Sequence, residues 1–237
     1  MKKVFFALIF NIFIVNFAFA LNDDDRYVRE CRSLISKPNV EIKSSYGKLR
    51  YVFDKDSKFL EEETAKKYSE QGLTFSEKFT PIGLTKVAEG VDVDIEVGVI
   101  SVSKGNYCVY PKNIDAFLGY YLPTIYILNK LEKGSCMYDV ALRHEKTHMQ
   151  IYIEALDYFL PIFKKYVNGL YDSDGILIIS NKKEAKNAAK MLSDKYMEKI
   201  KSRINSWRRD VEIEQMKLDS NENYILENRI CVDVVEN

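Results

Sequence analysis

The chain has two histidines, and both fall within one short stretch, Arg143-His144-Glu145-Lys146-Thr147-His148. This is the H-E-x-x-H pattern, and it constrains the local fold sharply. On a helix it sets two imidazoles on one face, one turn apart, where they can share a zinc ion. The surrounding residues predict that helix. At about 100° per residue, Val140, Ala141, Ile151, Tyr152, Ala155, Tyr158, Phe159 and Ile162 share the side of His144 and His148. Arg143, Lys146, Gln150, Glu154 and Asp157 fall mostly opposite. The histidines thus belong to the apolar stripe of an amphipathic helix and face the interior. His144 and His148 are the expected zinc ligands, and Glu145 the group that takes a proton from a zinc-bound water. The competing reading is a hydrogen-bonded histidine pair packed in the core.

Residues 1–20 read as a secretory signal. Lys2 and Lys3 precede an apolar run, and Ala18-Phe19-Ala20 is a small-x-small cleavage site. An uncleaved anchor is the alternative, but the run is short for a bilayer span. The expected location is therefore exported, periplasmic or secreted, with no stable membrane span after cleavage. Residues 21–48 are expected to be an N-terminal extension, with a propeptide as the alternative, and residues 49–237 the main domain. Lysine plus arginine and aspartate plus glutamate each number 35, so no net field points to nucleic acid or anionic lipid. Cys31, Cys108, Cys136 and Cys231 favour disulfides in an exported chain. The preferred pairing is Cys108–Cys136, tying a strand to the zinc helix, with Cys31–Cys231 tying the domain ends. No C-x-x-C spacing supports zinc ligation by cysteine.

The fold class predicted is α+β, an antiparallel sheet followed by the active-site helix and a second long antiparallel helix. Ser57 caps a predicted helix from Lys58 to about Gln71. Val91, Val93, Ile95, Val97 and Val99 alternate with Asp92, Asp94, Glu96 and Gly98, the period of a half-buried strand. Lys104-Gly105-Asn106 turns the chain back. Further strands are expected at Tyr107–Tyr110, Ile114–Leu118 and Thr124–Leu128, with a short one at Leu49–Phe53. Thr124–Leu128 is the expected edge along which an extended peptide could pair. Asn168-Gly169 is the expected stop of the histidine-bearing helix; after it and the turn Asp172-Ser173-Asp174-Gly175, a second helical pattern runs from about Lys182 to Met216.

A catalytic zinc site needs a third protein ligand beside the two histidines. Glu154 stands at metzincin-like spacing, but Ile151 takes the place of the turning glycine. An antiparallel hairpin mirrored about residue 175 sets the histidines against roughly residues 200–208. Glu184, Glu198 and Glu212 point away from the second helix's apolar stripe. Glu214 lies nearest that stripe, between Val211 and Leu218, and is the expected third ligand; Asp219, just past the helix, is the competitor.

The segments from Gly134-Ser135-Cys136 to His148, and Leu218-Asp219-Ser220-Asn221-Glu222-Asn223-Tyr224, resemble a family of small exported bacterial proteins described as predicted zinc-dependent proteases. The resemblance spans roughly residues 84–231. It implies a zincin-like fold and a peptidase acting on peptide or protein substrates. It also raises Asp219 as an aspartate ligand and Tyr224 as an oxyanion-stabilising phenol, against a helix-ending turn as the plainer role for both. The expected function is an exported zinc metallopeptidase. A non-enzymatic envelope scaffold or binding protein with a structural or degenerate metal site is the alternative, and hydrolysis of cell-wall peptides a variant of the first.

Overall fold

The alternation that begins at Val91 belongs to a strand longer than the pattern alone, β3 (Gly83–Ser101). A tight turn with Lys104 at φ 55° and Gly105 at φ 77° reverses it into β4 (Tyr107–Leu128). The structure, a computed structural model, describes residues 23–70 and 80–233. The three strands expected between Tyr107 and Leu128 are one. Pro111 and Pro123 do not end it, because each sits at a bulge. The β3–β4 register shifts between Glu96 and Val97, opposite Pro111, and between Lys86 and Ala88, near Pro123. A bulge spares the ladder bond that proline cannot donate.

β3 runs antiparallel along the length of β4. The other edge of β4 is shared end to end by three short strands. β5 (Leu177–Ile179) pairs antiparallel with Tyr107–Val109. β1 (Asn39–Ser45) and β2 (Arg50–Lys55) pair parallel with Asn113–Gly119 and with Thr124–Leu128. The sheet is therefore mixed rather than antiparallel. Residues 39–45, expected within an extension, are part of it. Thr124–Leu128, expected at an edge, lies between β2 and β3; the outer strand on that side is β3.

Two long helices cover one face of the sheet. Ser135 caps the first, α3 (Cys136–Asp174), its hydroxyl accepting from the Tyr138 amide. The second, α4 (Ala185–Leu218), returns antiparallel to it. Its buried positions, Ala188, Leu192, Tyr196, Ile200, Ile204, Trp207, Val211 and Gln215, recur at steps of three and four. All but Gln215 pack with Phe159 and Phe163 of α3 against Ile114, Ala116, Leu118 and Tyr120 of β4. Each leucine, isoleucine, valine or phenylalanine among them contributes about 1.5–3 kcal/mol when fully buried. The Trp207 indole stacks on Phe159 at 4.9 Å and donates to the Ala155 carbonyl at 3.2 Å.

Three shorter helices complete the described fold: α1 (Asp23–Leu34), α2 (Ser57–Glu70) and α5 (Asn221–Asp233). At the start of α2 the capping side chain is Asp56, which accepts from the Phe59 amide at 2.9 Å, rather than Ser57. The disulfides are Cys31–Cys108, tying α1 to β4, and Cys136–Cys231, tying α5 to the start of α3. The expected Cys108–Cys136 and Cys31–Cys231 pairs do not form. Cys108 stands at the first end of β4 and Cys136 beyond its last residue. At about 3.3 Å per residue the strand holds them tens of ångströms apart, far outside the roughly 7 Å Cα limit of a disulfide. Among the described residues no helix is long and apolar enough to cross a membrane. The stretch read as a secretory signal lies outside the described residues.

Candidate metal centre

His144 and His148 project from the buried side of α3, with exposures of 4% and 3%. Their rings lie 4.8 Å apart and nearly perpendicular. Above them α4 ends at Leu218 and the chain turns through Asp219, whose amide caps the helix on the Gln215 carbonyl. That turn brings the Asp219 carboxylate over both rings. Its Oδ1 is 2.9 Å from His148 Nε2 and 3.2 Å from His144 Nε2, and the two Nε2 atoms are 3.1 Å apart.

The far side of each ring fixes its tautomer. His144 Nδ1 faces Glu227 Oε2 at 2.8 Å, and a carboxylate can only accept. His148 Nδ1 faces Gln215 Oε1. The Gln215 amide is oriented by its own Nε2, which donates to the His148 carbonyl at 3.1 Å. Both rings therefore carry the proton on Nδ1 and turn an Nε2 lone pair toward Asp219. Three acceptors then converge on one point, which is favourable only if a cation or a proton stands among them. Without the metal, protons fill that role. Burial alone would push His144 down, but the Asp219 hydrogen bond and the Glu145 and Glu227 charges outweigh it and raise its pKa. Burial likewise works against ionised Asp219, yet the hydrogen bonds from His144 and His148 hold its carboxyl well below the usual range.

Glu145 is equally buried, at 5% exposure. Its carboxylate is held from β3. Thr85 Oγ1 reaches Glu145 Oε2 at 2.8 Å and the Glu145 carbonyl at 2.9 Å. Gly83 leaves room for it: a Cβ there would come within 2.6 Å of Oε1. Burial raises the Glu145 pKa despite the two histidines and the Thr85 hydroxyl. His144, Glu145 and His148 form a cluster that can hold a metal ion, with ligand atoms within 4.8 Å of one another. Asp219 Oδ1 lies nearer to both Nε2 atoms than that span, a further donor placed to complete such a set.

No family model, no curated protein and no solved structure matches this chain. The chemistry must be read from the site itself.

Glu214, the expected third ligand, is not at the histidines. Its side chain is 56% exposed and pairs with Lys217 at 2.6 Å. The rotation of α4 gives the inward position to Gln215 instead, one residue and about 100° further on. Tyr224, on α5, stacks on the His144 ring at 5.1 Å and donates its hydroxyl to Asp219 Oδ1 at 2.9 Å. Burial and the Asp219 charge raise its pKa, so the phenol stays protonated. Lys67 of α2 places Nζ 3.8 Å from Asp219 Oδ2. These groups border a cavity of about 380 Å³, walled by Thr64 and Tyr68 of α2, by Tyr224 of α5, by Ile82 just before β3 and by Leu84 within it.

Gly83, Thr85, Lys67, Gln215 and Glu227 escape sequence reasoning. Gln215 alone carries a local signal, being the polar member of an otherwise apolar stripe.

Proposed function

We propose that this chain is an exported zinc metallopeptidase with His144, His148 and Asp219 as metal ligands and Glu145 as general base. The observation that carries the reading is the triangle of donor atoms with edges of 2.9, 3.1 and 3.2 Å. Zinc bonds of about 2.0–2.1 Å in tetrahedral array need donors about 3.3 Å apart. Two imidazoles and one carboxylate also suit zinc over calcium or magnesium, which take oxygen.

When bound there, zinc supplies a Lewis acid for the scissile carbonyl and makes water acidic enough to attack at neutral pH. The protein supplies the rest. Glu145, raised by burial and oriented by Thr85, takes the proton from the attacking water and delivers it to the leaving amine. The Tyr224 hydroxyl and the Lys67 ammonium fix Asp219 from two sides. The cavity is bounded by Gly83–Thr85 of the outer strand β3, along which an extended peptide can pair through its main chain. Two disulfides fit an oxidising compartment outside the cytosol.

The test pairs metal content with turnover. One zinc per chain and hydrolysis within a diverse peptide library are expected. Glu145→Gln should keep the zinc and lose the hydrolysis. Unchanged hydrolysis by that variant sinks the mechanism. Bound zinc with no hydrolysis by the native chain would instead favour a scaffold or binding protein.

A further inference from the structure

α5 is built the wrong way round for a helix lying on a protein surface. Ile225, Leu226 and Ile230 are exposed. Tyr224, Glu227 and Cys231 recur at helical spacing and meet the His144 ring, His144 Nδ1 and Cys136 of α3. Hydrophobic burial would turn the helix over. What holds it is the disulfide at Cys231 and the contacts at His144. The charge brought inward is therefore placed for the site, not for the core.

We infer that Glu227 is a positioning residue of the metal centre, fixing His144 with its proton on Nδ1 and its Nε2 lone pair toward the metal. The inference rests on reading His144, His148 and Asp219 as a metal site. The two histidines are supported unequally. His148 is backed by the neutral amide of Gln215, which a second hydrogen bond to the His148 carbonyl keeps from flipping. His144 is backed by a carboxylate from a different element, 83 residues away in sequence and 2.8 Å away in space. A free neutral imidazole divides between two tautomers, and only one of them offers Nε2 as a ligand. Glu227 accepts only from the productive one. It also makes the imidazole more basic and a stronger donor to the metal. The Cys136–Cys231 bond keeps α5 within reach: Cys231 is one helical turn beyond Glu227, and Cys136 stands two turns before His144.

The experiment measures Zn²⁺ and Co²⁺ affinity of the oxidised chain by competition with a chromophoric chelator. The visible spectrum of the Co²⁺ form and the melting temperature of the metal-free form are recorded alongside. Loss of a histidine's outer partner typically costs 10–100-fold in metal affinity. Glu227→Ala should lose about that much and shift the Co²⁺ bands. Glu227→Gln, whose amide oxygen still accepts from Nδ1, should lose roughly threefold to tenfold. Glu222→Gln, on the exposed side of α5, should match the native chain. If Glu227→Ala does not fold, Glu227→Gln decides.

Affinity within about twofold of native in a folded Glu227 variant overturns the inference, against that 10–100-fold expectation. So does a loss that Glu222→Gln reproduces, or one that follows a falling metal-free melting temperature while the Co²⁺ spectrum stays the same. A native chain that binds neither metal refutes the metal-centre reading itself, and that result is separate from a failure at Glu227.

Discussion

Gly83→Ala is a one-carbon perturbation aimed at Glu145, the proposed general base. The added Cβ would stand 2.6 Å from Glu145 Oε1, 2.7 Å from Cγ and 3.0 Å from Cδ. Carbon contacts are comfortable at about 3.5–4.0 Å, so the carboxylate must retreat by roughly 1 Å. It has little room to do so, because its other oxygen is held by Thr85 and the whole side chain is buried. A displacement of about 1 Å in a reacting group costs on the order of 100-fold in rate, or about 2.7 kcal/mol at 1.36 kcal/mol per decade. Overpacking adds about 1–3 kcal/mol of instability. The three atoms nearest the added Cβ all belong to Glu145, so metal affinity should change little. The assay compares kcat/KM for peptide hydrolysis, zinc content and thermal melting in the native and Gly83→Ala chains. A folded, zinc-loaded variant that hydrolyses peptide at the native rate would refute the placement of Glu145 as base.

Asp219→Ala should abolish tight zinc binding, whereas Glu214→Ala should leave it intact; elemental analysis after dialysis separates the two. In the metal-free protein, His144 is raised and Asp219 lowered. The Asp219 contribution is present above its unfolded pKa of about 3.9 and lost as pH falls through the depressed folded value. The His144 contribution is present below about 6.5 and lost as pH rises through the raised folded value. Metal-free protein should therefore melt higher near pH 5.5 than near pH 8. Zinc should reverse that order, since it needs both imidazoles neutral, with no proton on Nε2; calorimetry at the two pH values, with and without zinc, checks both signs. Replacing Cys136 and Cys231 by serine opens a 95-residue separation and should cost about 2–5 kcal/mol. It should also weaken metal binding without adding to the loss in Glu227→Ala, because both act by withdrawing Glu227; a double-variant cycle measures the overlap.

The histidine-bearing helix is legible because most of what defines it is local. Its stripe and its histidines lie within one run of sequence, although the helix continues through Asn168-Gly169, the expected stop, to Asp174. The long second helix is legible for the same reason. The third donor is not, because it depends on where two helices meet across a connection. The contact of His148 with Gln215 centres the hairpin near Asn181, not near Gly175, since β5 and a short 3₁₀ turn occupy the link. With the centre at Gly175, Asp219 falls well past the level of the histidines and Glu214 stands nearer to it. β1 and β2 escape for another reason. Their partner strand is about 70 residues further on, and parallel pairing leaves no turn signature next to either strand. Pro111 and Pro123 mislead because a proline at a bulge and a proline at a strand end look alike in sequence.

β4 separates what its two ends do. Cys31–Cys108 fastens α1 near its first residue, while the cavity lies at its other end, where the lining residues Gly83–Thr85 pair with Ile125–Ile127. Perturbations more than about 10 Å apart that share no partner contribute independently to stability. Damage at the α1 end should thus lower the melting temperature and leave the metal affinity alone. Damage at the α5 end should change both. The chain can therefore lose tolerance to heat and lose its metal as two separate failures, and the second does not follow from the first.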